Sequence, residues 1–149
     1  MYPKLLFAAL LLIIPLALIA GDPPSTQGPA AVTGDPVSFP DGLKYWDIVA
    51  PTRGVAAMRG KRVRVHYTGW LLDGIKFDSS HDAGHPFVFT LGEGQVIPGW
   101  EEGLVGMKEG GKRQLRIPPA LAYGEKGSPP NIPPDATLIF DIEMLNVER

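Results

Sequence analysis

The chain has no cysteine, and that one absence removes disulfides, thiol nucleophiles and thiolate metal sites together. Histidine is scarce, with three residues in all. His81 and His85 fall close to each other and to Asp82, but Gly84 and Pro86 deny the helix that would set an i, i+4 pair on one face of a metal site, so no metal is expected. Charge of one sign is lacking too. A formal net charge of -2 over 149 residues gives no overall attraction to nucleic acid or anionic lipid. Arg59, Lys61, Arg62 and Arg64 cluster locally, yet Arg62 and Arg64 alternate with Val63 and Val65, the pattern of a wet strand face. Hydrolase and dinucleotide signatures are also missing. Ser79, Ser80, His81 and Asp82 hold the side chains of a triad, but neighbours in one turn cannot assemble its geometry, and no G-x-S-x-G elbow occurs. Gly92 and Gly94 lack the third glycine and the βαβ unit of a dinucleotide loop, and read as turn glycines.

What the chain has in quantity is glycine and proline, 18 and 16 residues, spaced as turns between short strands rather than within long helices. Its length and its 44% hydrophobic composition suit one domain with one core. Residues 1–21 are set apart: Lys4 precedes an apolar run from Leu5 to Ala20, which reads as a signal peptide or an uncleaved N-terminal membrane anchor, with residues 5–20 as the tether. Export to a periplasmic or other extracytoplasmic space is the expectation. Asp22 stands where a lipoprotein needs cysteine. Residues 22–41, DPPSTQGPAAVTGDPVSFPD, carry five prolines and no apolar period, and are expected to be a flexible linker of extended, polyproline character.

The folded domain is expected over residues 42–149. Leu43 to Val49 suits an edge strand. Val63, Val65 and Tyr67 share one face of a strand running to Leu71, with Arg62, Arg64 and His66 on the other, and Asp73-Gly74 marks a turn. Lys112 to Ile117 reads as a strand, with Arg113 set to the face opposite Leu115 and Ile117, ended by Pro118-Pro119. Thr137 to Leu145 is a further strand whose Leu138, Phe140, Ile142 and Met144 face the core. Between them the period changes. Phe87 and Phe89 have strand spacing, whereas Ile97, Trp100 and Leu104 fall at helical i, i+3, i+7, with Pro98 suited to the first helical position and Gly103 and Gly106 limiting the far end. A helix this short is marginal alone, so the sheet must pack on it. An α+β fold follows, an antiparallel sheet wrapped around one short helix. Tyr67, Phe77, Phe87, Trp100, Tyr123 and Phe140 then face inward, either as plain core or as an apolar cleft with Asp78 and Tyr123 at its rim. Composition does not choose between the two.

Three stretches, VHYTGWLLDGIKFDSS (Val65 to Ser80), PFVFTLGEGQVIPGWEEGLVGMKEGGKRQLRIPPALAYG (Pro86 to Gly124) and IPPDATLIFDIEML (Ile132 to Leu145), resemble the FKBP family of peptidyl-prolyl cis/trans isomerases in order and spacing. The resemblance covers nearly all of residues 42–149. It implies a five- or six-stranded antiparallel half-barrel around one short helix, a monomer, no cofactor, Pro-containing unfolded or partly folded polypeptides as substrates, and macrolide immunosuppressants as ligands. Carried over residue by residue, it makes Trp100 the floor of a proline pocket, Tyr67, Phe77, Phe87 and Phe140 its walls, and Val96 and Ile97 its rim. The Ile97 N–H would bond a substrate carbonyl, Asp78 and the Tyr123 hydroxyl would lie by the rotating amide, and Ile132 would belong to a flap. Ala83 stands where many members have Arg, which bears on the orientation of Asp78. The activity so implied is X-Pro isomerisation during folding of exported proteins; the other reading is a binding module or chaperone that holds Pro-containing segments in the same pocket without turnover.

Overall fold

A computed structural model describes residues 28–149. The expected targeting segment, residues 1–21, and the start of the expected linker, residues 22–27, lie outside it. Seven strands form one antiparallel sheet: β1 (Val37–Ser38), β2 (Lys44–Val49), β3 (Arg62–Leu71), β4 (Lys76–Ser79), β5 (Phe87–Thr90), β6 (Lys112–Ile117) and β7 (Leu138–Val147). Their order is β1-β2-β6-β7-β3-β4, with β5 also pairing β3. The long β3 therefore serves three partners. One edge lies on β7 throughout, while the other pairs β5 from Arg62 to Val65 and β4 from Thr68 to Trp70. The Asp73-Gly74 turn closes the β3–β4 hairpin, the Gly74 amide donating to the Leu71 carbonyl.

Alternation does what the sequence pattern implies. Val63, Val65, Leu115, Ile117, Leu138, Phe140, Ile142 and Met144 are all buried in one core. On that core lies α2 (Pro98–Gly103), begun by Pro98, which already has helical φ and has no N–H to leave unpaired. The helix sits on β6 through its glycines. A Cβ on Gly99 would lie 2.4 Å from Ile117, and one on Gly103 would lie 2.9 Å from Leu115. Gly103 is thus a contact residue as well as the helix end, while Gly106 turns the chain at φ 84°.

Besides a seventh strand and a one-turn helix at Ser80–Ala83, where a turn is read from sequence, two features depart from the sequence reading. Arg113 faces the core side with Leu115, since residues two apart on a strand share a face, and it is only 6% exposed. Its guanidinium pairs with Asp47 at 2.7 Å, donates to the Gly103 carbonyl at 2.8 Å, and lies 3.8 Å over the Tyr45 ring. A cation is tolerated there because it satisfies a carbonyl at the C-terminus of α2, where the helix dipole is negative. The second departure is in residues 28–41, read as flexible linker. Val37–Ser38 pairs with β2, and Ala30 is held at both backbone groups, its amide on Asp141 at 2.7 Å and its carbonyl by buried Gln114 at 2.8 Å. A single alternation of two residues leaves too little periodicity to read as a strand. Among the described residues no helix is long and apolar enough to cross a membrane.

Candidate active site

Tyr67 on β3, Phe77 and Asp78 on β4, Phe87 on β5, Trp100 on α2 and Phe140 on β7 converge from elements far apart in sequence onto one cavity of about 220 Å³. Tyr123 lines it from the loop after β6, and Val96 and Ile97 line it from the approach to α2. Trp100 is 4% exposed and forms the hub of the aromatic set. Tyr67 meets its ring edge to face at 5.0 Å, Phe140 at 5.3 Å and Phe87 at 6.2 Å, and Phe77 in turn meets Phe140 at 5.5 Å. Such crossings suit the ring quadrupoles and hold the walls rigid. Among the described residues the indole Nε1 is buried without a hydrogen-bond partner, a donor left unpaired in an otherwise aromatic floor.

This close approach of rings depends on Gly69. A Cβ there would lie 2.6 Å from Phe77 and 2.7 Å from Phe140, too close for any other residue without moving a wall. The polar corner is equally compact. The Tyr67 hydroxyl donates to Asp78 at 2.6 Å, which orients the carboxylate. Burial and then the Asp78 carboxylate raise the Tyr67 phenol well above its ordinary value; burial and Asp78 raise Tyr123 likewise. Both stay neutral donors across the physiological range.

Ile97 ends the approach loop as the N-cap of α2, its carbonyl accepting from the Trp100 and Glu101 amides. Glu101 folds back onto the Gly92 and Gly94 amides, pinning the loop that carries Val96 to the helix that carries Trp100. Of the residues expected at the site, Ile132 alone does not line the cavity. It is 5% exposed and bridges Ser128 at the base of its loop, a core contact that anchors that loop. Gln95, unexpected from sequence, does line the cavity; its Oε1 accepts from the Thr90 amide at 2.9 Å. A single glutamine in a glycine-rich loop carries no periodic signal.

The sequence model described as FKBP-type peptidyl-prolyl cis-trans isomerase matches residues 54–145. The chain belongs to the FKBP family. An FK506-binding protein of Neisseria meningitidis serogroup C is 60% identical over 94 residues, 63% of this chain and 86% of that protein. The peptidyl-prolyl cis-trans isomerase FKBP15-2 of Arabidopsis thaliana is 50% identical over 125 residues, 84% of this chain and 75% of its own. Among solved structures, FkpA from Escherichia coli superposes with a TM-score of 0.71 at 45% identity, covering 78% of this FKBP chain and 53% of FkpA. The crystal structure of AtFKBP13 gives a TM-score of 0.72 at 40% identity, over 77% of this chain and all of that one.

Proposed function

We propose that this FKBP-type peptidyl-prolyl cis-trans isomerase turns over X-Pro bonds in the aromatic cavity over Trp100, and that its substrates are Pro-containing segments of exported proteins during folding. The observation that carries the site is the cavity's composition: ring faces on the floor and walls, with polar groups gathered at one corner around Asp78. Rotation about X-Pro opposes amide resonance across a barrier of roughly 18–20 kcal/mol, and unassisted it takes tens of seconds. No bond is made or cut. The twisted amide has lost charge separation between nitrogen and oxygen, so a water-poor aromatic pocket favours it over the planar ground state.

In this reading the prolyl ring rests on the Trp100 indole, between Tyr67, Phe77, Phe87 and Phe140. The backbone N–H of Ile97 holds the substrate carbonyl at the mouth of the cavity, and Pro98 beside it has no N–H to compete. Asp78, fixed by Tyr67, and the neutral Tyr123 phenol supply hydrogen bonds near the rotating amide. Each tenfold gain in rate asks for about 1.4 kcal/mol of preference for the twisted form, within the reach of desolvation and one or two placed hydrogen bonds. Export rests on the apolar run at residues 5–20. A macrolide with a proline-like ring would compete for the same floor.

NMR exchange on Xaa-Pro peptides tests the reading. The protein accelerates isomerisation, prefers Leu or Phe over a charged residue before proline, and loses the acceleration with Phe77→Ala. Peptide binding without acceleration would leave a binding module in place of the catalyst.

A further inference from the structure

β4 stops at Ser79 where its ladder with β3 stops: Thr68 pairs Ser79, and the next β3 residue, Tyr67, would have paired Ser80. The chain instead turns into α1 (Ser80–Ala83), capped by the Ser79 hydroxyl, which accepts from the His81 amide at 3.2 Å. The Ser80 side chain takes the place of the missing ladder. Its Oγ accepts from the Tyr67 amide at 2.8 Å and donates towards the Tyr67 carbonyl at 3.3 Å. It also meets His66 Nδ1 at 2.8 Å, and Ser80 is 3% exposed. One buried hydroxyl therefore ties the residue that holds Asp78 to the segment that carries Asp78.

A hydroxyl has one proton to give. With His66 neutral and its Nδ1 bare, Ser80 donates to the ring and receives the Tyr67 amide. With Nδ1 protonated, the ring donates to Ser80, whose proton must turn to the more distant Tyr67 carbonyl. The His66 ring lies on the sheet face opposite Tyr67, since neighbours on a strand point to opposite faces. It stacks on His81 of α1, centroids 4.2 Å apart and planes 15° apart. Among the described residues the charged groups around it are few. Glu143 of β7 is directly cross-strand, Arg64 precedes it on its own face of β3, and Asp141 and Lys112 share with the two histidines a second cavity of about 420 Å³. On α1, Asp82 is occupied by Lys76 of β4 at 2.6 Å.

We infer that Ser80 is a positioning residue for the Tyr67–Asp78 pair, and that the His66–His81 stack sets the direction of its hydrogen bonds. Protonating His66 reorganises the tie behind Tyr67 and slackens the polar corner of the cavity. Burial, and after it the His81 charge, hold the His66 imidazole below its ordinary value, with Glu143 opposing. The active arrangement thus persists down to mildly acidic pH and is lost below it. This inference rests on the cavity being the isomerase site.

The test compares kcat, KM and their pH profiles for the wild type, Ser80→Ala, His81→Gln and Phe77→Ala on one Xaa-Pro peptide, with circular dichroism confirming the fold. For folded Ser80→Ala, kcat falls by roughly tenfold to a hundredfold, the scale of a small misplacement at a reacting centre, while KM is kept and the acid limb of the profile disappears. For His81→Gln, which leaves the Ser80 bonds untouched, the plateau rate is kept and the acid limb moves to higher pH, because burial still depresses His66 but the His81 repulsion that adds to it is gone. Wild-type kcat in folded Ser80→Ala overturns the inference. Should Ser80→Ala not fold, an unmoved acid limb in His81→Gln overturns it equally. Phe77→Ala separates the two levels: retention of its rate refutes the cavity as the site, whereas its loss beside a normal Ser80→Ala refutes only the role of Ser80.

Discussion

At the scale of single residues, the site is a balance between rings that exclude water and one carboxylate that has to be aimed. Trp100→Ala removes the hub of the edge-to-face set and leaves a cavity in the core, so a loss of about 3–5 kcal/mol in urea unfolding is expected, together with loss of peptide affinity. Trp100→Leu keeps apolar volume and costs less. The neutral phenols give a pH signature. Tyr67 titrates higher folded than unfolded, so its contribution is whole below pH of about 10, its unfolded value, and is lost as pH rises beyond that. Tyr67→Phe, measured by urea midpoints at neutral and strongly alkaline pH, should lose less stability across that rise than the wild type. Most of this site was legible because its residues come in recognisable words, VHYTG, FDSS and VIPGW. Arg113 was misread at this scale for a plain reason. A charge on a strand argues for the wet face, and only the helix end above it, with the Gly103 carbonyl to satisfy, explains why the odd-numbered face keeps it.

At the scale of elements, α2 and β6 decide the depth of the pocket. Gly99 and Gly103 are one helical turn apart and meet the Ile117 and Leu115 side chains of β6, so at these two positions the helix lies on the sheet with no side chain of its own between them. In isolation, a glycine to alanine change inside a helix gains roughly 0.8–1 kcal/mol. Here the new methyl of Gly99→Ala meets the Ile117 side chain at 2.4 Å, and overpacking of this kind costs about 1–3 kcal/mol. Strain wins. Gly99→Ala should lower the melting temperature and, by lifting Trp100 off the sheet, reduce isomerase activity; a rise in both would mean that Ile117 yields freely. Arg113→Leu acts on the far end of the same helix. It leaves Asp47 without its partner and the Gly103 carbonyl without its donor, so thermal unfolding should show a loss of roughly 1–3 kcal/mol. The sequence marked this helix by its period and its proline. Of its two glycines, Gly103 reads from sequence only as the helix limit and Gly99 carries no signal, because close packing against a strand distant in sequence leaves no local pattern.

At the scale of the whole molecule, the sheet separates two surfaces, and the N-terminal stretch lies on the one away from the cavity. Phe140 and Leu115 point to the core, so Asp141 and Gln114 beside them point the other way, and these are the two side chains that hold Ala30. Trp46 adds a bond from its Nε1 to the Gly34 carbonyl at 3.1 Å, and β1 extends the sheet past β2. A composition rich in proline and poor in periodic apolar residues gave no hint of this, because the attachment is made by backbone groups, which every sequence has. Removing residues 1–27 should leave the melting temperature unchanged. Removing residues 1–41 deletes β1 and strips Ala30 from Gln114, whose buried amide keeps only Asp141 at 2.8 Å, for an expected cost of about 1–3 kcal/mol. The isomerisation rate per folded molecule should be the same for both truncations, since none of residues 28–41, by which they differ, lines the cavity. Equal melting temperatures would return the start of the stable domain to Gly42, whereas a loss of rate in the longer truncation would show that the back of the sheet governs its front.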